Sequence, residues 1–208
     1  MSKKNTIKFQ QILASMMAEV MFGRTHYEIV RGLGRRDSIA LAAKGIAPQF
    51  FDLTLDSHAV AAQLAVARVF DRTSAVSIHT LLSAALGEAG TFKHGTPAQV
   101  RKAVEDAKAT ITALAPTLAA IRTRRNETIA HLDAKPFKDP ASYHQRGRVS
   151  YRQIDEVFEK VSTVLTRLSL LYRNAAVPLE LEGAKDYERV FEMLAAAKTQ
   201  LKPPIAGK

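Results

Sequence analysis

The 208-residue chain contains no cysteine and no tryptophan, and only 7% of its residues are aromatic. Without cysteine there is no disulfide, no thiolate metal ligand and no cysteine nucleophile. Few rings and abundant Ala and Leu favour helix over strand. No apolar run approaches the ~20 residues that cross a bilayer. The Met1–Thr6 start also lacks the apolar core of a secretory signal. These absences predict a soluble cytoplasmic protein with no membrane contact. Several catalytic signatures are missing too. There is no Gly-x-Ser-x-Gly elbow and no His-Glu-x-x-His pair, and Gly32-Leu33-Gly34 has neither the third glycine nor the preceding strand of a phosphate loop.

What the chain does have is cations. Lys and Arg number 30 against 20 Asp and Glu, giving a net charge of +10 and a pI near 9.9. A basic excess of this size suits a polyanion, most simply nucleic acid, through phosphate neutralisation. The excess concentrates between Lys93 and Arg152 and is rich in arginine, the better fork for phosphate.

Helical periodicity runs through most of the chain. Ile12, Leu13, Met16, Met17, Val20 and Met21 predict a helix ended by Gly32 and Gly34. Asp37 caps a short helix to Lys44. Pro48 opens a long helix to about Arg72, with Phe51, Leu55, Ala59, Ala62, Val66, Val69 and Phe70 inward. A short helix over Ser77–Leu86 follows, and Thr96-Pro97 starts another. Pro116 kinks that helix or separates it from the next, which runs to about His131. Ser150 and Gln153 form a capping box for a helix to about Tyr172. The last helix is expected at 185–198, with Tyr187, Val190, Phe191 and Leu194 inward. The expectation is a single all-α domain over 1–208, an antiparallel, up-and-down bundle of four main helices plus short ones.

Asp52 and Asp56 share a helix face, which reads as a solvated edge or a partner for arginines rather than a metal pair. His58 and His79 lack zinc spacing and read as capping or packing residues. No metal or cofactor is expected. The chemistry-bearing stretch is Arg122-Thr123-Arg124-Arg125-Asn126, followed by His131 and Asp133. Arg125 falls on the apolar row Leu118, Ile121, Ile129, Leu132. A guanidinium there needs anionic or carbonyl partners, or a wet interface. Arg125, Asn126 and His131 can together cleave a phosphodiester without metal when the substrate brings its own nucleophile, as RNA does in its 2′-hydroxyl. His131 would move the proton, Arg125 would hold the phosphate, and Asn126 would orient one of them.

Six residues turn a helix through about 600°, so Arg125 and His131 stand about 120° apart. They converge on one phosphate only if the helix frays near His131 or a second copy completes the site, as a two-fold homodimer would by supplying each residue twice. Arg124 shares the face of His131 and competes with Arg125 for the catalytic role. Arg122, and Lys135, Lys138, Tyr143, Arg146 and Arg148 of a basic loop at 134–149, are candidate substrate contacts.

Arg125-Asn126-x4-His131 resembles the Arg-x4–6-His motif of the HEPN superfamily. With Phe50-Phe51-Asp52-Leu53-Thr54-Leu55-Asp56 and Arg68-Val69-Phe70-Asp71, it is similar to the abortive-infection, AbiU-type branch over roughly residues 10–175. The resemblance implies an all-α, commonly homodimeric, metal-independent ribonuclease of toxin–antitoxin or phage-defence systems, with RNA as substrate and an antitoxin protein as possible partner. It implies catalytic roles for Arg125 and His131, supported by Asn126. The competing reading is a non-catalytic RNA- or partner-binding bundle. A DNA-binding regulator ranks last, because the short helix pairs are rich in Ala and Leu rather than in basic and polar residues.

Overall fold

The computed structural model describes residues 8–126, 149–177 and 185–200, with residues 199 and 200 described as backbone only. The described residues are all-α, with no strand among them. The helices are α1 (Phe9–Leu33), α2 (Ser38–Lys44), α3 (Pro48–Val69), α4 (Ile78–Gly87), α5 (Pro97–Ala113), α6 (Ala115–Arg124), α7 (Tyr151–Arg173) and α8 (Asp186–Gln200), with a 3-10 turn at Ala89–Thr91. Among the described residues no helix is long and apolar enough to cross a membrane.

Local chemistry explains where these helices begin. The Asp37 carboxylate accepts from the Ala40 N–H at 3.0 Å, and the Ser77 hydroxyl accepts from Thr80 N–H. Thr96 with Gln99, and Ser150 with Gln153, form reciprocal capping boxes. Pro116 separates α5 from α6 rather than kinking one helix. It lies in the first turn of α6, where a missing N–H costs nothing. Asn174 ends α7 in the left-handed region, at φ 54°.

By packing, the chain divides into two units, one drawn from Met1–Gly23 and Gln63–Leu179, the other from Arg24–Ala62 and Glu180–Lys208. The division falls inside α1 and inside α3. In the first unit Leu13, Met16 and Val20 of α1, Val66 of α3, Leu81 of α4, Val104 of α5, Ile121 of α6 and Leu165 and Leu168 of α7 are buried. Each such side chain contributes roughly 1.5–3 kcal/mol over its exposed state. Phe9 packs its ring 4.8 Å from Phe92 and 5.0 Å from Tyr172. A Cβ on Gly23 would stand 2.6 Å from the Ala65 Cβ and 3.0 Å from the Phe158 ring, so α1 approaches its neighbours there only as glycine.

The second unit is built around Leu33, Ala40, Ala43, Phe51 and Phe191. The Tyr187 ring lies directly against Gly32. Arg35 joins Asp37 at 2.6 Å and Glu188 at 3.4 Å. One inward assignment on α8 is corrected. Val190 is 46% exposed, whereas Phe191 is buried and Tyr187 and Leu194 are partly so. The buried stripe is narrow and centred on Phe191, which leaves Val190 on its flank.

Candidate functional site

Helix α6 is short and places its arginines by rotation. Leu114, Thr117 and Ile121 form its buried row. Arg122 and Arg125 share the neighbouring row with Leu118, since residues three and four apart lie on one face. The backbone stays helical past Arg124, widening into a π turn at 125–126. Such turns are rare and often mark functional positions. Arg125 is half-buried, and its Nε donates to Asn126 Oδ1 at 3.0 Å.

The end of α3 supplies the opposite wall. After Val69 the chain turns through Asp71, Arg72 and Thr73. Asp71 Oδ1 accepts from the Thr73 N–H at 2.9 Å and from its hydroxyl at 2.7 Å, a side-chain turn that fixes the carboxylate. Between this turn and α6 lies a cleft of about 190 Å³. Val66, Ala67, Phe70, Leu118 and Ile121 form its apolar part, and Asp71, Arg72, Thr73, Arg122 and Arg125 its polar part. The hydrogen bonds from Thr73 hold the Asp71 carboxyl below the usual carboxylate range, and the Arg125 and Arg122 guanidiniums push it the same way. Asp71 is therefore an acceptor-only anion at neutral pH. Three guanidiniums around one opening can grip a phosphate, with Asp71 as their resident counter-ion.

The cleft separates the two competing arginines. Among the described residues Arg125 and Arg122 line it and Arg124, although half-buried, does not. His131, Asp133, Lys135, Lys138, Tyr143, Arg146 and Arg148 lie outside the described residues. Asp71 and Arg72 were not singled out by spacing, because only the packing of α3 against α6 brings them to Arg122 and Arg125. Arg68, of the Arg68–Asp71 stretch, instead pairs with Glu19 on α1 at 2.6 Å and lies 6.0 Å from the Phe22 ring centre.

The second unit contains a contact that no local spacing announces. His26 of α1 and His58 of α3 place their Nδ1 atoms 2.6 Å apart, with ring centres at 4.8 Å. Burial lowers both pKa values, and the facing His58 lowers that of His26 further. In the first unit His79 is half-buried, its pKa lowered by burial and then by Arg72. Asp52 and Asp56 are exposed. Among the described residues no group of three or more His, Asp or Glu is arranged to hold a metal ion.

Comparison with known proteins yields one family. The HEPN family model described as AbiU2 matches residues 7–194, so the match runs past 175 into α8. No curated protein and no solved structure matches the chain.

Proposed function

Since the chain belongs to the AbiU2 family of HEPN proteins, an abortive-infection type, we propose that it is a metal-independent endoribonuclease acting in the cytoplasm as a toxin or phage-defence effector. The observation that carries this reading is the cleft where Arg122 and Arg125 meet beside a fixed carboxylate, with Asn126 bonded to Arg125. In the proposed reaction His131 takes the proton of the ribose 2′-hydroxyl, whose oxygen attacks the adjacent phosphorus. The bond to the 5′-oxygen breaks, a proton passes to that oxygen, and a cyclic phosphate and a free 5′-hydroxyl remain. Arg125, aided by Arg122, holds the phosphate and stabilises the charge that builds on it. Arg124, which helical spacing would put on the face of His131, is the alternative arginine.

A homodimer completes the site in this reading, because on a regular α-helix Arg125 and His131 would stand about 120° apart. The main helices α1, α3, α5 and α7 would form an antiparallel HEPN bundle, and Lys135, Lys138, Tyr143, Arg146 and Arg148 would contact the RNA strand. An antitoxin protein is the expected regulator. The test is RNA cleavage in EDTA by the wild type and by Arg125→Ala, Arg124→Ala and His131→Ala. Wild-type cutting without metal is expected, with losses of roughly 100-fold or more for His131→Ala. Undiminished cutting by that variant, or a strict metal requirement, removes the proposal. The second reading, a non-catalytic RNA- or partner-binding bundle, is favoured by Ile39, Leu41, Phe50 and Leu53, which are 45–70% exposed in the second unit. Binding without cleavage in the same assay would establish it.

A further inference from the structure

We infer that the cleft between the end of α3 and α6 takes one unpaired nucleotide of an RNA strand, with its phosphate on Arg122 and Arg125 and its base against the apolar wall. This rests on the RNA reading above and adds a base-binding element to it. The first argument is composition. A site for phosphate alone needs donors and cations, yet half of the lining residues here are apolar. Phe70 and Ile121 are 6% and 1% exposed and close the cleft from below, while Ala67 and Leu118 remain partly open. An apolar surface beside a cationic one matches the two halves of a nucleotide.

The second argument is Asp71. Its carboxylate is ionised and fixed by Thr73 within the same opening. An anion there repels a second phosphate but accepts the N–H donors on a base edge. The third is size. About 190 Å³ is below the roughly 300–1,000 Å³ of sites for larger ligands and suits a single ring with its phosphate at the mouth. A duplex cannot use it, because paired bases stay stacked and an A-form major groove is too deep and narrow for side chains to read. An unpaired base can splay out and stack on guanidinium planes or apolar side chains.

The test uses the full chain and a labelled single strand of 2′-O-methyl RNA, which lacks the nucleophile and stays intact. Its binding is compared with that of an abasic strand of equal length and charge, with a duplex, and with a free nucleoside monophosphate. The base-bearing strand is expected to bind about 10-fold tighter than the abasic one, within the usual range for a stacked base. Ala67→Phe, which fills the cleft and replaces no arginine, is expected to erase that difference. Its helical circular dichroism and melting temperature serve as the folding check, and the abasic comparison on the wild type needs no variant. Equal binding of base-bearing and abasic strands overturns the inference and leaves a phosphate-only RNA site. An unaltered difference in folded Ala67→Phe also overturns it. A monophosphate binding as tightly as the strand overturns it in favour of a free nucleotide ligand. If neither strand binds, the RNA reading itself falls.

Discussion

Arg125 and Arg124 are neighbours in the chain and differ by about 100° around α6. Of the two, the cleft takes Arg125. Arg125→Ala is therefore expected to reduce RNA cleavage by 100-fold or more, the scale of losing one preorganised charge stabiliser, while Arg124→Ala costs less than about 10-fold. Initial rates on one RNA substrate decide it, and the reverse order would assign the role to Arg124. Of the apolar row that singled out Arg125, Leu118 and Ile121 were legible because they depend on helical spacing alone, while Ile129 and Leu132 lie outside the described residues. Asp71 and Arg72 were less legible, because some fifty residues separate them from Arg122. The pair His26 and His58 was hidden for the same reason. Two Nδ1 atoms at 2.6 Å share a hydrogen bond only while one nitrogen keeps its lone pair, so a second proton breaks the contact. Both pKa values are lowered, and the folded chain binds fewer protons than the unfolded chain near pH 6. The stability this gives is complete above the unfolded value of about 6.5 and is lost as pH falls below it toward the folded values. Wild type should lose more unfolding free energy than His26→Phe/His58→Leu between pH 7.5 and 5.5 in urea titrations, by less than about 1 kcal/mol because water screens groups this open. Parallel pH profiles would remove the pair from the account of acid stability.

At the scale of elements, starts and stops were readable because capping is decided within three residues. Thr96 with Gln99 and Ser150 with Gln153 declare α5 and α7 in the sequence and close as reciprocal boxes in the fold. Thr96→Ala and Ser150→Ala should each cost about 1 kcal/mol in urea unfolding, with an unchanged slope. A midpoint shift well under half of that for either would mean the box contributes little to its helix. Close approach between helices is not local and was not readable. Gly23 sits within α1, where alanine would gain up to about 1 kcal/mol of helix propensity. Its new methyl would meet the Ala65 Cβ at 2.6 Å, and overpacking of that kind costs typically 1–3 kcal/mol. Gly23→Ala is therefore expected to destabilise by about 1 kcal/mol. Equal or greater stability would show that α1 and α3 part easily at this point. The exposure of Val190 teaches a related lesson, since periodicity locates the centre of a buried stripe and packing sets its width.

For the whole molecule, all-α character followed from composition and periodicity, whereas the division into two packing units cuts through α1 and α3 at positions no linker marks. The family span also reaches residue 194, so the match takes in most of α8 although the motif-bearing residues stop well before it. The net charge of +10 would attract RNA even without a site, and the two contributions must be separated. For single strands, log K falls with log salt by about 0.7 for each phosphate neutralised. If Arg122 and Arg125 each neutralise a share of the bound strand, replacing both by Ala should flatten the slope by up to about 1.4. Lys108→Glu on α5, exposed and not among the residues lining the cleft, should weaken encounter at low salt and leave the slope nearly unchanged. Fluorescence anisotropy from 50 to 300 mM salt measures both. A slope that responds to Lys108 but not to Arg122 and Arg125 would mean diffuse charge holds the RNA, and the cleft would lose its claim to be where the strand is gripped.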